Sequence, residues 1–288
     1  MIRLILTGGL GNQMFEYATA KALALKLNKE LNLDLYALQK KTKGIKRDFE
    51  LDIFDIDLKI SSSWKTKLLV KLFPFVEQNR TFFGKTFNYF RDYSAIVYLP
   101  KFQELEGNVI LHGHFQNEKY FKQYETIIRK EFTFKHPLKE QNLQIAQQME
   151  KSNSVAIHIR RGDYVTDSNF ALCTKEYYQE AMDSIRKEVE NPVFFIFSQD
   201  FDWINENLTF DKEEVHFIDW NKGKDSYIDM QLMSLCKHNI IANSSFSWWA
   251  AWLNKNPEKR IFAPARWFRK EERNEDLKDF YPQGWKMI

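Results

Sequence analysis

Asn239-Ile240-Ile241-Ala242-Asn243-Ser244-Ser245-Phe246-Ser247-Trp248-Trp249-Ala250-Ala251-Trp252 joins an apolar strand to a helix through three small polar residues. A strand that ends in Asn-Ser-Ser and turns into a helix gathers backbone N–H groups and hydroxyls at one point, which makes a seat for phosphate. The same residues also suit a plain helix cap, with the tryptophans filling a core. The surrounding periodicity decides the fold. Strand-like runs at 154–159, 193–198, 215–218, 238–242 and 260–263 are separated by helical patterns at 175–189, 201–206, 226–236 and 246–253. Short apolar strands alternating with helices predict a parallel sheet covered on both faces.

The amino-terminal end follows the same logic. Residues 3–6 read as extended, Thr7 to Gly11 as a glycine loop, 12–27 as a helix and 31–35 as a second strand. Met14, Phe15, Ala18, Ala22 and Leu25 fall on one face of that helix. Residues 36–107 read as mixed helix and loop, with a basic patch at Lys40, Lys41, Lys43, Lys46 and Arg47 and an aromatic-rich stretch from 73 to 98. Residues 109–112 return to strand, and helical patterns follow near 118–132 and 138–151. A boundary near residue 150 divides an α/β domain (1–150) from a nucleotide-type α/β domain (151–288).

A net charge of +3 gives no reason to expect a nucleic-acid partner, although a local basic cluster suits an anionic ligand. Cys173 and Cys236 supply neither a disulfide framework nor a four-ligand zinc site, so a reducing cytoplasm is expected. The first strand reaches Gly8-Gly9 too soon for a signal peptide, and nothing offers the ~18 apolar residues a membrane span needs. Residues 61–75, with Trp64, Leu68, Leu69, Leu72 and Phe73 against Lys65, Lys67 and Lys71, form a basic amphipathic pattern. It suits peripheral contact with an anionic membrane, or an ordinary surface helix.

His158-Ile159-Arg160-Arg161-Gly162-Asp163-Tyr164 lies where a strand runs out, the edge of a parallel sheet at which ligands collect. Two arginines followed by an aspartate suit a pyrophosphate: one guanidinium binds phosphate oxygens while the carboxylate fixes its neighbour. A surface ion pair is the plainer alternative. Thr7-Gly8-Gly9-Leu10-Gly11-Asn12-Gln13 is neither a Walker loop nor a dinucleotide fingerprint; it fits close approach to a ligand or tight strand-to-helix packing. Ser198-Gln199-Asp200 ends another strand, with Asp200 placed to meet a base or ribose or to cap the next helix. His112 and His114 stand two apart with no third metal ligand of the right kind, which favours hydrogen bonding over metal binding.

Gly8 to Ala18, His158 to Tyr164, Phe197 to Asp200 and Asn243 to Trp249 together, in this order, resemble the bacterial α-1,2-fucosyltransferases, relatives of the blood-group H transferases. The resemblance implies a GT-B fold with two Rossmann-like domains facing a cleft. It implies inverting, metal-independent transfer of L-fucose from GDP-β-L-fucose to the 2-hydroxyl of a terminal galactose, with no cofactor. Gly9, Gly11, Asn12, Gln13, His158, Ser198, Asp200, Asn243, Ser244, Ser245 and Phe246 are then expected at the donor, and His114 and Gln116 at the β-galactoside acceptor. Arg160 and Arg161 absorb the charge of the departing phosphate, and Asp163 holds an arginine. For the base, Asp163, Asp167 and His114 are all available, and the resemblance favours Asp167. The chain starts at a strand where the animal relatives carry a membrane anchor, which fits a bacterial cytoplasmic enzyme acting on polysaccharide precursors. Phosphate clamps do not specify the sugar, so another nucleotide sugar, another fucose linkage, or a silent glycan- or nucleotide-binding protein are the rival readings.

Overall fold

Ile2, Leu4 and Ile5 are fully buried because β1 (Ile2–Ile5) runs through the middle of a parallel sheet in the computed structural model, which describes residues 1–38, 47–61, 64, 66–68, 88–211 and 214–288. The chain forms two compact units, Met1–Lys135 and His136–Ile288. In the first, β1 leads through the glycine loop into α1 (Leu10–Lys26) and on to β2 (Leu31–Asp34). Later come β3 (Tyr89–Arg91), β4 (Val109–His112) and α2 (Glu125–Glu131). The sheet order is β2-β1-β4-β3, all neighbours parallel. Helix α1 buries Met14, Phe15, Ala18 and Ala22 as its periodicity predicts, but Leu25 is 36% exposed. The helical pattern near 118–132 is helical only from Glu125, because 3-10 turns at Glu118–Tyr120 and Lys122–Tyr124 precede it. Strand β3 falls where mixed helix and loop is expected; with three residues it is too short to display an alternation.

In the second unit, α3 (Glu140–Lys151) precedes β5 (Asn153–Ile159), α4 (Lys175–Glu188), β6 (Pro192–Ser198), α5 (Phe201–Asn207) and β7 (Val215–Ile218). Then follow α6 (Tyr227–Leu235), β8 (His238–Ile240), α7 (Ser245–Leu253), β9 (Ile261–Ala263) and β10 (Lys286–Met287). The order β10-β9-β8-β5-β6-β7 is parallel throughout. The chain builds outward from β5 in one direction, then returns to its other side for β8. The strand order therefore reverses between β5 and β8, and α/β sheets bind ligands beyond the carboxyl ends of such strands.

Side chains alternate across this sheet. Val155, Ile157 and Ile159 of β5 and Phe194 and Ile196 of β6 pack against Tyr178, Ala181, Met182 and Ile185 of α4. In α7, Trp248 is fully buried among aromatic rings, 5.1 Å from Trp249 and 5.4 Å from Trp285 between centroids. The boundary expected near residue 150 moves to Lys135/His136. Helix α3 packs on β5 and α6, burying Ile145 and Met149, and so belongs to the sheet that follows it.

Residues 39–46 of the basic patch and most of the segment 61–75 lie outside the described residues. Among the described residues no helix is long and apolar enough to cross a membrane.

Candidate active site

Strand β5 delivers Arg160 and Arg161 at its carboxyl end, and β6 delivers Ser198 and Asp200 beside them. Arg161 Nε donates to Asp200 Oδ2 at 3.2 Å, and its guanidinium lies 4.3 Å from the centre of the Trp203 ring. A carboxylate and an indole thus hold one planar cation in place. Asp200 also caps α5, accepting from Trp203 N at 3.3 Å, while Ser198 Oγ accepts from Asp200 N at 3.0 Å. Both residues therefore shape the arginine's support. The side chain of Asp163, expected to hold an arginine, lies outside the described atoms, and Asp200 performs that task for Arg161.

Across the switch point, Ser244 caps α7 by accepting from Phe246 N at 3.3 Å, and the first turn of the helix carries no acidic residue. The positive end of the helix dipole, with Ser245 half-buried there, is suited to an anion. The centre of the Phe246 ring lies 5.8 Å from that of His158, a residue 8% exposed. Burial first, and then the charge of Arg160, push the His158 pKa down to about 3, so the ring is neutral. Its Nδ1 is buried with no hydrogen-bond partner among the described residues.

Two residues expected here serve other ends. Asn243 is fully buried, its amide donating to Ala171 O at 2.8 Å and Trp267 O at 2.9 Å, so it ties loops together and has no donor left for a nucleotide. Asp167 Oδ1 accepts from Asn169 N at 2.7 Å and from Phe170 N at 3.4 Å, and Arg269 Nε donates to its carbonyl at 2.8 Å. It organises the loop after the arginines.

In the first unit, Gly8 has φ +70°, and a Cβ there would meet Asn12 Nδ2 at 2.6 Å, so glycine is required for the turn. The loop expected at the donor is held by hydrogen bonds within its own unit. The Glu50 carboxylate already accepts the N–H of Leu10 at the start of α1, and burial pushes its pKa up despite that bond and nearby Arg47. Gln13 is fully buried, donating to Gly8 O at 3.0 Å and Asp48 O at 2.8 Å and accepting from Glu50 N at 3.0 Å. Gly9 serves as the N-cap and Gly11 is buried in the first turn of α1. Asn12 Oδ1 accepts from Gln116 Nε2 at 2.7 Å, which joins the loop to the residues after β4.

The residue missed in the sequence is Glu16. It is fully buried, accepting from Thr7 N at 2.7 Å and from the Thr7 hydroxyl, and it meets His114 Nδ1 at 2.9 Å. A charged residue flanked in sequence by Met14, Phe15, Tyr17 and Ala18 was the available signal. Gly113, at φ +136°, sets His114 in place: a Cβ would lie 2.6 Å from Asp92 O and 2.9 Å from Asp92 N. Gly113→Ala should therefore destabilise the first unit by about 1–3 kcal/mol, measured by thermal unfolding. An unchanged Tm would show that the Asp92 turn yields freely.

Among the described residues no group of three or more His, Cys, Asp or Glu could hold a metal ion. The description Glycosyl transferase family 11 matches residues 1–288. The chain is 36% identical over 295 aligned positions to an alpha-1,2-colitosyltransferase of Escherichia coli, covering 98% of this chain and 97% of that protein. It is 32% identical over 283 positions to the O-antigen biosynthesis glycosyltransferase WbnK of Escherichia coli, covering 91% and 93%. Its fold is similar to that of a mutant of FUT1 from Arabidopsis thaliana in complex with GDP, with a TM-score of 0.50 at 13% identity over 99% of this chain and 75% of that one. A match over the whole length, joined to two relatives covered almost end to end, establishes that the chain belongs to glycosyl transferase family 11.

Proposed function

We propose that the chain moves L-fucose from GDP-β-L-fucose to the 2-hydroxyl of a terminal β-galactoside, by inversion and without a metal. The observation that carries this reading is Arg161, fixed by Asp200 and Trp203 at the sheet edge where the strand order reverses. In one in-line displacement the acceptor oxygen bonds to the anomeric carbon as the bond from that carbon to the β-phosphate oxygen breaks. Its electron pair leaves with GDP. Arg160 and Arg161, with the Ser244-Ser245 start of α7, stabilise that charge, and His158 and Phe246 bound the nucleotide's seat. The glycan of the O-antigen relative supports a polysaccharide precursor as acceptor. Such a precursor is often lipid-linked, so peripheral contact with a membrane belongs to the same proposal and is tested by liposome flotation.

Purified protein with GDP-fucose and lactose, with and without EDTA, should yield an α-1,2-linked product at equal rates. Activity lost to EDTA and restored by a divalent cation overturns the metal-free mechanism. A second reading is favoured by the colitosyltransferase relative. Colitose is fucose without the 3-hydroxyl, and a diphosphate clamp does not distinguish the two. Competition between GDP-fucose and GDP-colitose decides: a kcat/KM at least tenfold higher for the latter moves the assignment to colitose.

A further inference from the structure

Each arginine just beyond β5 stands over an aromatic ring. Arg161 has Trp203, and the Arg160 guanidinium lies 5.5 Å from the centre of the Tyr164 ring, within reach of a cation–π attraction. The two rings differ in their footing. Trp203 belongs to helix α5, whereas Tyr164 ends a single 3-10 turn at Gly162–Tyr164 that leads into turns and bends. A ring on so short a turn can place a cation only if something else holds the loop.

That hold comes from the segment after β9. Tyr164 stacks on Phe170 at 4.7 Å with the planes 11° apart, Phe170 stacks on Phe268 at 5.9 Å, and the Arg273 guanidinium covers the Phe268 ring at 3.6 Å. Three rings thus stand in a row with a cation at each end. Beside the row, Phe170 and Phe268 form an antiparallel bridge. Ala171 N donates to Trp267 O at 3.0 Å and Arg269 N to Asn169 O at 2.9 Å. The Arg269 side chain then reaches back over the loop, with Nε donating to Asp167 O at 2.8 Å and Nη2 to Tyr164 O at 3.3 Å and Val165 O at 3.4 Å. One planar fork satisfies three carbonyls that no strand or α-helix pairs.

We infer that Tyr164 and Arg269 are positioning residues for Arg160: ring and clamp set its guanidinium in place before the donor arrives, as Trp203 and Asp200 do for Arg161. This rests on the reading that Arg160 stabilises the departing diphosphate. All of these residues lie within the second unit. Both positioning residues act through Arg160 and not on the substrate. A cation left to swing must be ordered at the moment the bond to GDP breaks, and one held off its mark stabilises the new charge less. Arg269 is itself exposed, so truncating it leaves the core intact and separates a kinetic role from a folding one.

The test is steady-state kinetics, with whichever nucleotide sugar the wild type accepts, on Tyr164→Leu, Tyr164→Phe and Arg269→Ala, alongside thermal unfolding. Tyr164→Leu and Arg269→Ala should each lower kcat by about tenfold, the scale of a lost cation–π contact and a small misplacement, with the acceptor KM unchanged. Tyr164→Phe keeps the ring and should recover most of that loss. Arg160→Ala should leave a slow residual rate, and in that background neither Tyr164→Leu nor Arg269→Ala should slow transfer further. Full kcat in either folded variant overturns the inference, as does a loss of equal size with and without Arg160, because the stack then supports only the fold. If Tyr164→Leu fails to fold, Arg269→Ala decides alone. Full kcat in Arg160→Ala leaves nothing to position and ends the inference while sparing the transferase reading. A wild type that binds GDP but transfers no sugar sinks that reading and this inference together.

Discussion

Arg161→Lys should lower kcat by about 100-fold, the cost of losing one well-placed donor to a developing oxyanion, while thermal unfolding stays close to wild type. Lysine keeps the charge. It loses the planar fork that Asp200 grips through Nε at 3.2 Å and that lies 4.3 Å from the Trp203 ring centre. An ammonium on a flexible stem can reach the same region, but nothing fixes it where negative charge develops. Stability should hardly change, because the side chains of Arg161 and Asp200 are 18% and 32% exposed and such a pair stabilises the fold little. Steady-state kinetics with GDP-fucose check this. Turnover within twofold of wild type would remove Arg161 from the departure of GDP.

Trp248→Ala should destabilise the second unit by about 3–5 kcal/mol, the range for deleting a large aromatic from a close-packed core. Trp248 is fully buried and its ring meets Trp249 at 5.1 Å, Trp285 at 5.4 Å and Phe280 at 6.2 Å. Those contacts bring helix α7 together with Phe280 and Trp285 near the carboxyl end, so the cavity has many walls and no single side chain can fill it. Urea unfolding followed by circular dichroism gives the value, with Trp248→Phe expected to recover about half the loss. A loss under 1 kcal/mol would mean that the site collapses around the smaller residue.

These two residues mark what the sequence makes legible. Strands β5 and β6 are readable because each is a mostly apolar run buried on both faces, and β7 falls where its pattern predicts although its Phe217 is exposed. Strand β10 is not readable: its residues Lys286 and Met287 are exposed and show no alternation. Arg161 at a strand end announces its chemistry in one dimension, because strand and charge are adjacent in the chain. Its carboxylate partner does not. Asp200 follows the end of the neighbouring strand, and only the parallel register of β5 with β6 brings it close, so Asp163, nearer in sequence, draws attention first. The Glu16–His114 pair is hidden for the same reason, since β1 and β4 must lie side by side before the helix after one meets the loop after the other. Residues with free-looking amides mislead in the other direction. Gln13 and Asn243 suit a ligand by type, yet each satisfies backbone groups of its own loops.

The reversal of strand order at β5 also governs how the second unit is made. Ribosomes deliver β6 and β7 shortly after β5, but β8 begins only at His238, so one flank of β5 stays uncovered while the intervening chain emerges. An open strand of this kind is a template for any other nascent copy. Truncations that stop before residue 238 should therefore aggregate from the very strand that carries the arginines, and holdase chaperones should meet this protein there first.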